Sequence, residues 1–176
     1  MAGEQYKVLV VDDESEIRDI ICSTLTLRGH QGFHAANGTE ALEKFSSENF
    51  DAAVVDVAMP IMDGITLTRE ILKRKPGFPI MIMTGFKDAQ INKHPVNEEA
   101  ILAGAIDFLE KPFSIEGFWL RFHKMMINCK TIFEMNAKQE ALQKIGNEMI
   151  GDLQKESREK IRALENELEE LRKKIK

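Results

Sequence analysis

Cysteine is scarce in this chain, and long apolar runs are missing. The only cysteines, Cys22 and Cys129, lie far apart and in no metal-binding spacing, which disfavours a disulfide framework and a zinc site. The longest apolar runs, such as YKVLVV at 6–11, fall well short of the roughly 20 residues that span a bilayer. The opening residues, MAGEQYK, lack a signal-peptide pattern. We therefore expect a cytoplasmic protein with two reduced thiols and no membrane insertion.

An excess of basic charge is also absent. The chain has 24 Lys and Arg against 29 Asp and Glu, a net charge of −5, so no overall positive field favours nucleic acid. Charge and proline divide the sequence, because residues 130–176 contain 11 basic and 10 acidic residues but no proline. We predict a globular domain over residues 1–125 and a helical extension, a coiled coil, over residues 126–176.

Short apolar runs alternate with helical patterns in the first part of the chain. Largely apolar runs of this length suit a parallel sheet that is buried on both faces. The β-α order, repeated five times, predicts an α/β doubly wound fold with a five-stranded parallel sheet. The predicted strands are Tyr6–Val11, a weaker run around Phe33, Ala52–Val55, Ile80–Met83 and Ile106–Leu109.

Polar residues follow the predicted strands, at the edge where such folds bind ligands. Asp12 and Asp13 follow the first strand and Asp56 ends the third, while Thr84 and Lys111 follow the last two. Because parallel strands share this edge, we expect these side chains to converge. Close carboxylates repel one another unless a cation lies among them, and oxygen ligands suit Mg²⁺. The sequence therefore predicts a magnesium site.

Four motifs make the sequence resemble the receiver domain of two-component response regulators. They are VLVVDDE at 8–14, VVDVAMPIMDG at 54–64, MTG at 83–85 and DFLEKPF at 107–113. The resemblance extends over essentially all of residues 5–124. It implies a flavodoxin-like sheet with strand order 2-1-3-4-5 and a cis peptide bond between Lys111 and Pro112.

The resemblance also implies the phosphorylation chemistry. Asp56 would accept a phosphoryl group from a sensor histidine kinase or phosphotransfer protein and form an aspartyl phosphate. Asp13, Asp56 and the carbonyl of Ala58 would bind Mg²⁺, with Asp12 acting through metal-bound water. Lys111 would bind the phosphoryl oxygens together with Thr84.

Switching and docking positions follow from the same resemblance. Phe108 would be the aromatic switch that moves inward when Thr84 moves toward the phosphoryl group. Phe113 has two interpretations that stay open, because it is either an exposed anchor for the kinase or a core residue under the last helix. The kinase-docking positions are occupied by Glu14, Ser15, Arg18 and Phe113.

Other functions could use the same site. A stand-alone phosphate shuttle or sink in a phosphorelay needs the same acceptor. A phosphatase with an Asp nucleophile typically carries a second Asp two residues on, where this chain has Ala58, and a non-phosphorylated adaptor would not need the complete set of site residues. We expect a signalling protein rather than an enzyme, limited to self-phosphorylation from phosphodonors and slow self-dephosphorylation.

One segment departs from the family pattern. The stretch between Thr84 and Lys111 is longer than the resemblance leads us to expect, and the surplus lies in DAQINKHPVNEE at 88–99. Pro95 excludes a helix that runs through this stretch, so the fourth helix is predicted to begin later.

The C-terminal extension has the spacing of a coiled coil. Ser114 is a predicted N-cap, and apolar residues then recur in heptads, with a phase slip between Met149 and Ile161. We predict a homodimer through a parallel coiled coil at 153–176, supported by a second contact over Phe118–Ile132. Direct DNA binding is not expected, because residues 130–176 sum to only +1. The coiled-coil core has Ile161, Leu168 and Ile175 at a, with Leu164 and Leu171 at d.

Overall fold

The computed structural model describes residues 4–85 and 96–174, and strands alternate with helices throughout the first part of the chain. The strands are β1 (Lys7–Val11), β2 (Gln31–Ala35), β3 (Ala52–Asp56), β4 (Ile80–Thr84) and β5 (Asp107–Glu110). The helices are α1 (Ser15–Leu27), α2 (Gly38–Ser47), α3 (Gly64–Arg74), α4 (Val96–Leu102) and α5 (Ile115–Lys174). The predicted alternation is therefore confirmed.

The strands form one parallel sheet in the order β2-β1-β3-β4-β5. In its centre, Val10 lies opposite His34 of β2 and Val54 of β3. Every residue of β3 and β4 is buried, as expected for strands covered on both faces. The predicted doubly wound fold and strand order are confirmed.

Alternate residues of β1, β3 and β4 pack into two separate cores, one on each face of the sheet. On one face, Leu9 and Val55 pack with the apolar sides of α2, α3 and α4. On the other face, Val10 and Met81 pack with α1 and with the first turns of α5, including Phe122. This period of two fixes which face each strand residue covers.

Local signals in the sequence define several helix ends. The side chain of Asn37 accepts a hydrogen bond from the Glu40 N–H at 2.9 Å and caps α2. Gly29 follows α1 with φ at +84°, a left-handed conformation that glycine adopts without steric cost. Helix α4 begins at Val96, directly after Pro95, while most of the predicted surplus at 88–99 lies outside the described residues.

Helix α5 continues from Ile115 to Lys174 through both Gly146 and Gly151. Residues Met1–Cys129 form one compact unit and Lys130–Lys176 form another. In the first unit, Phe118 and Phe122 of α5 are fully buried. None of the helices in the described ranges is long and apolar enough to cross a membrane. The side chains of Leu168 and Leu171, and all of Ile175, lie outside the described residues.

Candidate functional site

The carboxyl edge of the sheet brings together the polar residues that follow the strands. Asp12 comes directly after β1, while Asp56 and Thr84 are the last residues of β3 and β4. Lys111 follows β5, and its N–H donates to the Thr84 carbonyl at 2.7 Å. Residues that are up to a hundred positions apart in the chain therefore meet in one cleft, because all five strands run in the same direction.

Three carboxylates form a compact cluster in this cleft. Each of Asp12, Asp13 and Asp56 offers a carboxylate oxygen, and these atoms all lie within 4.8 Å of one another. Asp12 is fully buried and Asp56 nearly so, whereas Asp13 is exposed. The Asp12 carboxylate also accepts a hydrogen bond from the Glu14 N–H at 2.9 Å. The cluster combines one accessible and two enclosed sets of hard oxygen donors.

Lys111 bridges the two buried carboxylates. Its Nζ lies 2.7 Å from Asp12 Oδ2 and 2.7 Å from Asp56 Oδ1. Burial alone would lower the pKa of Lys111, but hydrogen bonds to both carboxylates and their charges raise it overall. Burial raises the pKa of Asp12, and the hydrogen bond from Lys111 opposes this effect. The raised pKa favours the charged form of this ammonium group, which lies within hydrogen-bond distance of both carboxyl groups.

The remaining predicted residues lie at or beside the same cleft. Ala58 and Lys111 line the cleft together with Gly85, and Thr84, the residue before Gly85, is buried at the end of β4. The peptide bond between Lys111 and Pro112 is cis, as predicted. The structure therefore brings the predicted acceptor, the two other acids, the ammonium group and the Ala58 backbone to one place.

Two features of the loop between β3 and α3 were not predicted from the sequence. A Cβ at Gly64 would lie only 2.1 Å from the backbone oxygen of Asp56, so only glycine allows α3 to begin this close to the acceptor. Ile61 has φ at +72° and is 84% exposed, in a turn closed by the Met62 N–H and the Pro60 carbonyl at 2.8 Å. Such a γ-turn is strained for a β-branched residue. In the sequence, the signal for the close approach of α3 to Asp56 was the Asp63-Gly64 pair.

The predicted docking residues differ in their accessibility. Glu14 and Ser15 are exposed at the start of α1, and Glu14 Oε1 lies 3.7 Å from Lys111 Nζ. Arg18 is directed inward, because its Nη1 donates to the backbone oxygen of Asp12. The Arg18 Nε is buried and has no hydrogen-bond partner among the described residues. Arg18 thus supports the loop that carries the acidic pair.

The two phenylalanines near the site have distinct surroundings. Phe108 is half-buried on β5, with the Arg121 guanidinium 5.8 Å from the centre of its ring. Phe113 packs against the core under α5, with its ring 6.3 Å from that of Phe118. Phe113 also lines the cleft beside Ile17. Both interpretations of Phe113 therefore describe part of its environment.

Comparison with known proteins gives a consistent result. A family model described as the response regulator receiver domain matches residues 8–121. The transcriptional regulatory protein ZraR of Klebsiella oxytoca is 33% identical over 130 residues, which are 74% of this chain and 28% of that protein. The response regulator MprA of Mycobacterium ulcerans is 32% identical over 126 residues, 70% of this chain and 51% of that protein.

A solved structure agrees with both relatives. The CheY-like response regulator receiver domain protein of Methanospirillum hungatei is 25% identical, with a TM-score of 0.66, and the match covers 73% of this chain and 98% of that one. By contrast, the chain spans only about half or less of the length of the two curated relatives. The site geometry, the sheet order and these matches together show that the chain belongs to the response regulator receiver domain family.

Proposed function

We propose that the protein is a response regulator in a two-component phosphorelay, with Asp56 as its phosphoacceptor. The observation that carries this proposal is the position of Lys111 Nζ, 2.7 Å from both Asp12 and Asp56 at the carboxyl edge of the sheet. Phosphoryl transfer depends mainly on positioning and on neutralisation of charge. A buried carboxylate beside a fixed ammonium group meets both requirements.

The proposed transfer uses one carboxylate oxygen of Asp56 as the nucleophile. This oxygen forms a bond to phosphorus while the bond from phosphorus to the donor histidine nitrogen breaks, which leaves an acyl phosphate on Asp56. Lys111 turns from the free carboxylate to a phosphoryl oxygen, and the Thr84 hydroxyl donates to another. We propose a signalling protein rather than an enzyme, with activity limited to self-phosphorylation from phosphodonors and slow self-dephosphorylation.

A divalent cation fits the donor set of the cleft. The oxygens of Asp12, Asp13 and Asp56 lie within 4.8 Å of one another, and hard oxygen donors of this kind suit Mg²⁺. Asp13, Asp56 and the Ala58 carbonyl would hold the ion, and Asp12 would bind its water. When bound, Mg²⁺ would neutralise charge on the transferring group.

The phosphodonor is proposed to be a sensor histidine kinase or a phosphotransfer protein. The wall of the cleft supports a protein donor, because apolar side chains of α1 and of the segment after β5 border the acidic cluster. The accessible docking residues are Glu14, Ser15 and Phe113, together with the cleft residue Ile17. Arg18 would act indirectly, through the loop that it supports.

The output element is proposed to be the C-terminal part of α5, which would hold two copies together as a coiled coil. This proposal is supported by the exposed apolar side chains of that part of α5, because a single helix cannot bury them by itself. We propose no direct DNA contact within these 176 residues, although the curated relatives include transcriptional regulators. A cytoplasmic location, supported by the free thiols Cys22 and Cys129, is part of the same proposal.

Labelling with a small phosphodonor tests the acceptor. With acetyl phosphate and Mg²⁺, intact-mass measurement should show one phosphoryl group per chain, and Asp56→Asn should abolish it. Asp19→Asn, which removes an exposed carboxylate on α1, should label like the wild type. Labelling that persists in Asp56→Asn would refute the assignment. Dimerisation is tested separately by sedimentation, since a monomer at micromolar concentration would refute only the proposed output element.

A further inference from the structure

Arg18, near the start of α1, binds a backbone oxygen through its guanidinium group. Its Nη1 donates to the carbonyl of Asp12, the residue that follows β1. The Nε of the same group is buried and has no hydrogen-bond partner among the residues that the structure describes. An unpaired buried donor costs free energy. The side chain therefore holds the Asp12 carbonyl although its own hydrogen bonding is incomplete, which points to a role for this contact.

The two peptide groups that flank Asp13 are both held by hydrogen bonds. The first is the Asp12–Asp13 peptide, whose carbonyl accepts from Arg18. The second is the Asp13–Glu14 peptide, whose N–H donates to Asp12 Oδ1 at 2.9 Å. Asp12 itself is anchored to β2, because its N–H donates to the Ala35 carbonyl at 3.2 Å. Since peptide groups are planar, fixing one on each side of Asp13 fixes the direction in which its side chain leaves the backbone.

The Asp13 carboxylate depends on this backbone more than the other two acids of the cluster do. Lys111 Nζ lies 2.7 Å from a carboxylate oxygen of Asp12 and of Asp56, and so orients both side chains directly. By contrast, Asp13 is exposed, and none of the described residues donates a hydrogen bond to its carboxylate. Its oxygen nevertheless lies within 4.8 Å of oxygens from the two other acids. The backbone that Arg18 holds is therefore the main constraint on this carboxylate.

We infer that Arg18 is a positioning residue for Mg²⁺ binding, which fixes the peptide group between Asp12 and Asp13 and so directs the Asp13 carboxylate into the cleft. The inference rests on the magnesium site proposed above and names a residue that prepares it. Asp13 lines the cleft together with Asp56. A carboxylate that is already in place loses less conformational freedom when it binds a cation, so a held backbone strengthens binding.

A purely electrostatic role of Arg18 would have the opposite effect on cation binding. The pKa of Glu40 is lowered mainly by the hydrogen bond from the Ala36 N–H, and the charge of Arg18 acts in the same direction. The guanidinium charge therefore reaches its surroundings. A fixed positive charge beside the Asp12 backbone repels a divalent cation, so its removal would strengthen Mg²⁺ binding if charge were the only effect. Loss of a positioning contact weakens Mg²⁺ binding instead, and the sign of the change separates the two roles.

Isothermal titration calorimetry of the full chain with magnesium chloride tests the inference. Arg18→Met should raise the dissociation constant for Mg²⁺ about tenfold, the lower end of the effect of removing groups that orient metal ligands. Arg28→Met is the matched control and should bind Mg²⁺ like the wild type, because Arg28 lies at the opposite end of α1 with its guanidinium 5.0 Å from the centre of the Trp119 ring. An unchanged or lower dissociation constant in Arg18→Met would overturn the inference. A wild type that binds no Mg²⁺ would instead overturn the proposed magnesium site.

A double-variant cycle tests whether Arg18 acts through Asp13. In the Asp13→Ala background, which already binds Mg²⁺ more weakly, Arg18→Met should change the dissociation constant by less than about twofold, because the carboxylate that it positions is gone. A further tenfold loss in that background would show that Arg18 acts elsewhere and would overturn the inference. Arg18→Gln, whose side chain is too short to reach the Asp12 carbonyl, should weaken binding as Arg18→Met does. It supplies the same test if urea unfolding shows that the methionine variant does not fold.

Discussion

Replacing Lys111 by Met should destabilise the first unit at neutral pH more than any surface charge change. The substitution keeps most of the side-chain volume but removes the ammonium group from between two carboxylates. Asp12 is fully buried and the Asp56 side chain is 5% exposed. Two enclosed negative charges would then face each other without the partner that now compensates them.

The expected cost follows from this enclosure. Removing one partner of a buried ion pair costs about 3 kcal/mol, because an uncompensated charge remains in a poorly solvated place. With a urea dependence of about 2 kcal/mol per molar, the unfolding midpoint should fall by about 1.5 M. Lys73→Met is the matched control, since that ammonium pairs with Glu70 at the surface with 69% of its side chain exposed. The control should change stability by less than about 1 kcal/mol.

The pH dependence provides a second measurement of the same effect. Burial already raises the pKa of Asp12 and Lys111 opposes this rise, so the substitution should raise the pKa further. The native state then binds more protons than the unfolded state, and stability should increase as pH falls from 7 toward the ordinary range of a carboxyl. Added Mg²⁺ should also restore part of the lost stability, because a cation bound only to the native state stabilises it.

Urea titrations followed by circular dichroism, at two pH values and with and without Mg²⁺, measure all of these effects. A double variant, Lys111→Met with Asp56→Asn, should recover much of the stability because one of the two facing charges is gone. The reasoning is refuted if Lys111→Met unfolds at the wild-type urea concentration. It is also refuted if the double variant is less stable than the single one.

Three other changes have defined outcomes. Gly64→Ala should lower the stability by about 2 kcal/mol and reduce the labelling of Asp56, because the new methyl group overlaps the Asp56 backbone oxygen. Gly151→Ala is the control and should retain labelling, since its methyl group meets nothing within 4 Å. Ile61→Asn should raise the melting temperature through a gain of up to about 1 kcal/mol, since asparagine tolerates the left-handed conformation, and a lower melting temperature would contradict this. Burial lowers the pKa of His30, and His123 adds to this effect. As the pH drops below about 6.5, the unfolded state therefore binds a proton before the native state does, and the stability of the wild type should fall. The urea midpoint measured above and below this pH should show the fall in the wild type and not in His30→Phe.

The sequence alone determined the architecture and the location of the site. Short, largely apolar runs that alternate with helical patterns leave a parallel sheet covered by helices as the natural solution. Once the strands are parallel, their carboxyl ends must share an edge, so Asp12, Asp56 and Thr84 could be placed together without coordinates. Capping by Asn37 and the stop at Gly29 were predictable for the same reason, because they depend on neighbours within a few residues.

The tertiary structure decided the features that depend on contacts between distant segments. The bridge from Lys111 to both carboxylates, the inward turn of Arg18 and the two environments of Phe113 each join elements that are separate in the sequence. A periodic pattern fixes which face of an element is apolar, but side-chain partners across elements follow from packing in three dimensions, which local sequence does not encode.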